Sequence, residues 1–224
     1  MGFATASSAL LAGLAVLASG QDSVHFERRL KVGDTASYRL HFSGSAPFGD
    51  LEVTQTTSDK IIEIEKDGNA DVWYTVRSRK VLVNGSEFPT RLDPPFTRKV
   101  DKNGVPVDGA KQDFDRNDFS RYLDVLFGHD VKVGQVLSIN RLMPDGKGRA
   151  TGSLKLVGVH GGEATLEANL TVPRGAGEPT LLKGEFLVST KDAILDKVDA
   201  KVENLDLGQT VLTEATYSNE RVHS

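Results

Sequence analysis

The 224-residue chain contains no cysteine. Disulfide bonds, thiolate metal sites, thiol nucleophiles and the lipidated cysteine of bacterial lipoproteins are therefore excluded. Aromatic residues make up only 7% of the sequence, which is too few for the aromatic girdles of an outer-membrane barrel. Hydrophobic residues, at 38%, are also fewer than in an average globular protein. Long strands with one solvated face account for such a low value.

Charge of one sign is nowhere concentrated in this chain. The net charge of −4 is spread along the sequence without a run of five like charges. We therefore expect no nucleic-acid partner, because contacts to phosphates need clustered lysine and arginine. The five histidines lack metal-binding spacing, and neither a Gly-x-Ser-x-Gly elbow nor a Walker loop is present. We therefore predict no metal ligand, no cofactor, no catalytic residue and a non-enzymatic function, with a hydrolase of unrecognised motif as an alternative.

The first 21 residues carry no charged side chain. An apolar run over residues 9–17 is followed by the small residues Ala18, Ser19 and Gly20, which predicts a signal helix over residues 1–20, cleaved after Gly20. An uncleaved anchor is the alternative, but the run is short and rich in alanine and glycine for spanning a bilayer. No second segment approaches transmembrane length. We therefore expect an exported protein, periplasmic or extracellular, whose mature chain has no transmembrane segment.

The mature chain from residue 21 to residue 224 shows mostly an alternation of apolar and polar residues with a period of two. Glycine-containing turns such as Asp67-Gly68 and Gly161-Gly162 separate the alternating segments and indicate hairpins. We therefore predict a mainly β protein, a long-stranded, curved antiparallel meander or half-barrel. The predicted strands cover residues 35–42, 51–65, 70–83, 97–100, 136–141, 150–159, 163–172, 182–190, 195–205 and 210–217, and the segment 173–179 between two prolines is predicted to be a loop.

The single tryptophan falls on the polar side of its strand. Alternation over residues 70–83 places Val72 and Tyr74 on one face, and Trp73, Arg77 and Arg79 on the other. We interpret Trp73 as a partly buried residue covered by arginine stems. The alternative is an exposed aromatic and basic contact patch for a partner.

One short α-helix is predicted after the leader, over residues 117–127. Asn117 or Asp118 can cap its start, and Gly128 suits a left-handed residue after its end. Five apolar residues fall at i, i+3, i+4, i+7 and i+8 and form one stripe: Phe119, Tyr122, Leu123, Leu126 and Phe127. About ten helical residues span only about 15 Å. The helix cannot cover the sheet alone, so the sheet curls, the proline-rich loops contribute, or a cavity remains.

Several inward positions of the second half are alanine, namely Ala164, Ala168, Ala200 and Ala215. Their small side chains leave room against the sheet, which either the helix aromatics fill or an apolar ligand occupies in the mouth of the half-barrel. Both readings use the same residues. The residues that we predict to line a ligand site or the core are Phe119, Tyr122, Leu123, Leu126, Phe127, Ala164, Ala168 and Ala200.

The tripeptide Lys-Val-Gly occurs at residues 31–33 and again at 132–134. Each copy precedes a short predicted strand, a Gly-x-Leu strand and a glycine turn. We therefore predict a single β-rich domain over residues 21–224, built from two pseudo-repeats, 31–112 and 131–217, that are joined by the helix.

The Lys-Val-Gly-Asp entry with Tyr38, and the helix with Leu123, Leu126 and Phe127 ahead of the second Lys-Val-Gly, resemble a pattern in uncharacterised exported bacterial β-proteins. A long-stranded meander with one covering helix is also similar in outline to the half-barrels of lipoprotein-carrier and lipid-binding envelope proteins. That likeness concerns the fold, and it assigns no residue a role because the ligand-contact motif of those carriers is not identifiable here.

These features lead to one preferred function and two alternatives. We expect an exported binding or carrier module for an apolar small molecule or lipid, or for an envelope protein. The first alternative is a structural or assembly protein that acts through its sheet edges or outer face. The second is the hydrolase named above.

Overall fold

The computed structural model describes residues 23–107, 119–143, 148–174, 177–208 and 210–222. The predicted signal helix, and the proposed helix caps at residues 117 and 118, lie outside this part of the chain. The fold is mainly β, as predicted: within the described residues, eleven of the strands form one open antiparallel sheet, and there is one short helix.

The strands follow the predicted pattern closely, with ends displaced by up to about five residues. In chain order they are β1 (Ser23–His25), β2 (Thr35–Ala46), β3 (Gly49–Ile64), β4 (Ala70–Val83), β5 (Ser86–Phe88), β6 (Phe96–Val100), β7 (Asp130–Lys132), β8 (Val136–Leu142), β9 (Arg149–His160), β10 (Glu163–Arg174), β11 (Gly177–Ser189), β12 (Leu195–Asp206) and β13 (Val211–Arg221). The sequence pattern does not indicate β1, β5 and β7, which are three residues long.

The predicted loop at 173–179 is wrong, because β10 continues through Pro173 to Arg174 and β11 begins at Gly177. The pairing of these two strands shifts between Val172 and Arg174. Proline is tolerated at such a bulge because its missing N–H would not be needed by the ladder there.

The order of strands in the sheet is β5-β4-β3-β2-β13-β12-β11-β10-β9-β8, with β6 also pairing with β4. The last strand, β13, pairs antiparallel with the first long strand, β2, and so joins the two halves of the chain in one sheet. Strands β1 and β7 pair with each other outside this sheet.

Three glycines mark places where neighbouring strands approach too closely for any side chain. A Cβ built on each would lie 2.0–2.3 Å from a backbone oxygen of the next strand: Gly44 against Glu214, Gly152 against Asn169, and Gly184 against Asp199. Such close approaches occur where a sheet bends sharply at glycine. These positions therefore allow the long strands to curve around a shared interior.

The helix differs from the prediction in type: residues Phe119–Leu126 form a 3₁₀-helix rather than an α-helix. The amide of Phe127 donates to the carbonyl of Asp124, three residues earlier, at 3.3 Å. The carbonyl of Arg121 also accepts from Arg141 Nη1 of β8 at 2.9 Å. This hydrogen bond ties the helix to the sheet.

Strand β4 changes its facing pattern at a bulge. Its pairing with β3 shifts between Thr56 and Thr57, so that two residues of β4, Arg77 and Ser78, lie where regular pairing has one. Arg79 therefore turns inward and donates to Gln55, a residue that is 1% exposed. The prediction that Arg79 shares a face with Trp73 is wrong, because period-two alternation does not register a bulge.

The two Lys-Val-Gly turns make equivalent hydrogen bonds. The amide of Gly33 donates to the carbonyl of Ile61 on β3 at 2.9 Å, and the amide of Gly134 donates to Leu156 on β9 at 2.7 Å. In each turn the backbone carbonyl of the next residue also accepts a hydrogen bond. Asp34 accepts from the amide of Ile61, and Gln135 accepts from the amide of Leu156. The pseudo-repeat remains a prediction for the chain as a whole, and these turns are its clearest structural correspondence.

Candidate functional site

The predicted lining residues lie together where the helix packs on the sheet. Seven of the eight are buried in one hydrophobic core, and Phe127 packs against that core while half-buried. The Phe119 ring meets the Tyr217 ring edge-on, with centroids 5.0 Å apart. Ala168 and Ala200 lie on either side of Gly184 in the register of the sheet. Small residues on the sheet and aromatic residues on the helix thus share one interior.

Two adjoining cavities lie at the edge of this core. The first has a volume of about 160 Å³, and we call it the apolar cavity. The second has a volume of about 220 Å³, and we call it the charged cavity. The two share five lining residues: Arg28, Tyr38, Asp59, Arg98 and Gly104. The shared residues form the junction between an aromatic space and a space rich in charged side chains.

The apolar cavity lies between the helix and the inner face of the sheet, and strands of both halves line it. Two of the predicted lining residues, Leu123 and Phe127, contribute to its wall from the helix side. The other predicted residues do not line it. The main apolar contributions from the strands and loops are Leu40, Phe42, Tyr74, Phe96, Leu195, Leu205 and Tyr217. Polar side chains such as Gln55, Asn103 and Asn219 complete the wall, so the site combines hydrophobic and aromatic groups with polar ones.

The charged cavity holds ion pairs that are partly shielded from water. Asp59 and Arg98 lie 2.9 Å apart, with side chains 20% and 19% exposed. The Arg98 guanidinium also stacks over Tyr74, with its Cζ 5.2 Å from the ring centroid. Arg221 lies 3.6 Å from Asp192 and 3.3 Å from Asp196. Most of the charged side chains that line the cavity are therefore in ion pairs, namely Asp59, Arg98, Asp192 and Arg221.

Arg28 is one of several lining residues that the sequence pattern did not predict. The segment from residue 21 to residue 30 reads as a polar lead-in, yet Val24 and Phe26 are buried and Leu30 packs against a second small core. Arg28 shares their alternation and lines both cavities. An arginine in the inward phase of an alternating segment is a signal that the sequence contained.

An ion pair between Arg141 Nη1 and Asp124 Oδ2 links the helix to strand β8. Burial raises the pKa of Asp124 above its ordinary value of 3.8, and the neighbouring Arg141 opposes this shift without cancelling it. The ionised carboxylate is therefore less favourable in the folded than in the unfolded chain.

We expect the wild-type protein to lose stability relative to an Asp124→Asn variant as pH rises from below 3.8 through the raised pKa of the folded state. The protonated carboxyl is favoured by folding, so its contribution is complete at acidic pH and is lost on ionisation. Urea unfolding of both proteins at acidic and neutral pH measures this difference. Glu87→Gln, at an exposed residue of β5, is the control for loss of a charge. If the wild type instead gains stability relative to Asp124→Asn as the pH rises, the attraction of Arg141 outweighs the effect of burial on Asp124.

The described residues contain no group of three or more histidine, aspartate and glutamate side chains placed to hold a metal ion. No helix in the same part of the chain is long and apolar enough to span a membrane. No protein-family model matches this chain, and no curated protein is significantly similar to it in sequence.

Proposed function

We propose that the protein is an exported, non-enzymatic carrier that binds an apolar ligand between the helix and the inner face of its sheet. The observation that carries this proposal is the apolar cavity, where aromatic and aliphatic side chains from strands and helix, together with several polar ones, line a space of about 160 Å³. Packed protein interiors rarely leave space larger than a water molecule. An unfilled space with this lining is the usual setting for ligand binding.

The volumes limit the ligand to a slender molecule. Each cavity is smaller than the roughly 300 Å³ at which typical small-molecule sites begin. A single hydrocarbon chain therefore suits the space better than a lipid with two chains. If the ligand is a lipid, Leu40, Phe42 and Phe127 would surround its single hydrocarbon chain.

We expect a Leu40→Trp variant to lose at least about tenfold in affinity for an apolar ligand, since about 1.4 kcal/mol of lost contact or steric cost corresponds to this factor. Leu40 is half-buried on β2 and lines the apolar cavity, so the indole ring would occupy the space. Binding is measured with the neutral dye Nile red and with decan-1-ol on delipidated protein.

The matched control is Leu142→Trp, the same substitution at a leucine of β8 that is 55% exposed and lines neither cavity. It should bind both probes as the wild type does. Equal binding by Leu40→Trp and wild type, at unchanged melting temperature, would rule out this cavity as the site. Absence of binding by the wild type would contradict the carrier function itself.

One observation favours the assembly alternative. Strand β8 is the last strand of the sheet and pairs only with β9 within the described chain. Its outer positions Val136 and Leu142 are 57% and 55% exposed. An exposed strand edge with apolar side chains can pair with another chain. A wild-type protein that takes up neither probe but associates through β8 would support this function instead.

A further inference from the structure

We infer that Arg28 binds the anionic head group of the ligand whose hydrocarbon chain occupies the apolar cavity. The inference rests on the carrier function proposed above and assigns the chemical class of its ligand: a single-chain amphiphile ending in a carboxylate or a similar oxyanion.

The position of Arg28 is the first argument. It lies at the junction of the two cavities, where an apolar chain in one space would end at the charged wall of the other. Its guanidinium rests on the backbone of Gly104, and a Cβ built on that glycine would lie 3.4 Å from Arg28 Cζ. Gly104 has a positive φ of 78°, so a larger residue is disfavoured there and the guanidinium keeps its place.

The second argument is the unused hydrogen-bonding capacity of Arg28. A guanidinium carries five N–H donors. Among the described residues, the Arg28 side chain donates one hydrogen bond, from Nη1 to the carbonyl of Ala193, at the long distance of 3.5 Å. It forms no ion pair within that part of the chain, in contrast to Arg98 and Arg221. A half-buried cation with so few partners costs stability, and an anionic ligand would offset that cost.

The third argument is that the two carboxylates whose charges act on Arg28, Asp59 and Asp192, are each paired with another arginine. Asp59 lies 2.9 Å from Arg98, and Asp192 and Asp196 both lie within 3.6 Å of Arg221. Burial lowers the pKa of Arg28, which shows that the carboxylates at longer range compensate its desolvation only in part. Arg28 is therefore the arginine at the junction that forms no ion pair among the described residues.

The geometry also selects among anions. A guanidinium fork matches the two oxygens of a carboxylate or a phosphate. The adjoining side chains of Leu40, Phe42 and Phe127 would shelter a hydrocarbon chain, which a small hydrophilic anion lacks. A free anion and an amphiphile head group present the same oxygens, and only the amphiphile uses both parts of the site.

The test compares three probes by isothermal titration calorimetry on the delipidated full protein: decanoate below its micelle concentration, decan-1-ol and acetate. Decanoate should bind at least about tenfold more tightly than decan-1-ol, because hydrogen bonds to charged groups contribute about 1.5–3 kcal/mol. Acetate should not compete at the concentrations where decanoate saturates the protein. Competition by acetate equal to that by decanoate would overturn the assignment in favour of a free-anion site.

The decisive variant is Arg28→Met, which keeps the length and apolar stem of the side chain and removes the charge. It should bind decanoate and decan-1-ol equally, with the affinity for the alcohol unchanged, and its urea midpoint should be no lower than that of the wild type. The control is Arg39→Met, at an exposed residue of β2 that lines neither cavity, and it should keep the preference for the acid.

Failure of the head-group assignment is distinct from failure of the carrier function. If Arg28→Met keeps the full preference for decanoate, the assignment is overturned while the carrier function stands. If the wild type binds neither decanoate nor decan-1-ol, the carrier function falls as well. Should Arg28→Met not fold, Arg28→Lys replaces it, and a lysine that lowers the preference for the acid while leaving alcohol binding intact supports the assignment, whereas an unchanged preference contradicts it.

Discussion

A Gly184→Val variant should lose at least about 3 kcal/mol of folding stability, at the upper end of what overpacking costs. A Cβ at residue 184 would lie 2.3 Å from the carbonyl oxygen of Asp199 and 2.6 Å from the Cβ of Ala200, both on β12. Neither contact involves the far end of a flexible side chain, so strands β11 and β12 would have to separate. Thermal unfolding should show a melting temperature lower by about 6–12 °C for a domain of this size.

The control is Gly158→Val, another strand glycine, on β9. A Cβ there would meet only the ring of His160, at 3.4 Å, which is an ordinary contact. Valine is also well suited to a strand, so this variant should unfold within about 1 kcal/mol of the wild type. If the Gly184→Val and Gly158→Val variants are equally stable, strands β11 and β12 can separate at this point without loss of folding stability. Gly184 would then have no part in its curvature.

A Phe119→Ala variant should be destabilised by about 3–5 kcal/mol. Phe119 is 2% exposed and its ring meets Tyr217 edge-on at 5.0 Å, a contact that contributes about 0.5–1.5 kcal/mol beyond burial. The helix is short and of the 3₁₀ type, so its own hydrogen bonds hold it only weakly and packing must fix its position. Urea unfolding measures the loss.

The matched variant is Phe88→Ala, at a phenylalanine of the edge strand β5 that is 60% exposed. Its effect should remain within about 0.5 kcal/mol, as for most surface substitutions. If truncating Phe119 proves as mild as truncating Phe88, the helix contributes little to the core. The interior beneath it would then be held by the sheet alone.

Period-two alternation located the strands because antiparallel strands with one solvated face carry that pattern in the sequence itself. Ala70–Val83 has the ends that the alternation predicts. The alternation failed at the bulge of β4, where one extra residue moves Arg79 to the inner face beside Gln55. Nothing local distinguishes that residue from its neighbours, because the bulge depends on pairing with β3.

The residues of the candidate site were likewise predictable only in part from the sequence. The apolar stripe of the helix predicted which side faces the sheet, and Leu123 and Phe127 do line the apolar cavity. Arg28 was missed because β1 and its continuation are short and are placed by partners distant in sequence, such as β7. The glycines that permit the close strand approaches were likewise not recognised, since the approach of the next strand is a property of the folded sheet.

By itself the sequence determined the class of this protein, since the absence of cysteine, the dispersed charge and the alternating strands all follow from residue types and their spacing. The tertiary structure alone decided that β13 pairs with β2 and that the helix is a 3₁₀-helix. It also decided that Arg28, Asp59 and Arg98 meet at the junction of two cavities. These features depend on contacts between residues far apart along the chain. Local pattern does not encode such contacts, because burial and strand pairing become definite only when the whole sheet has formed.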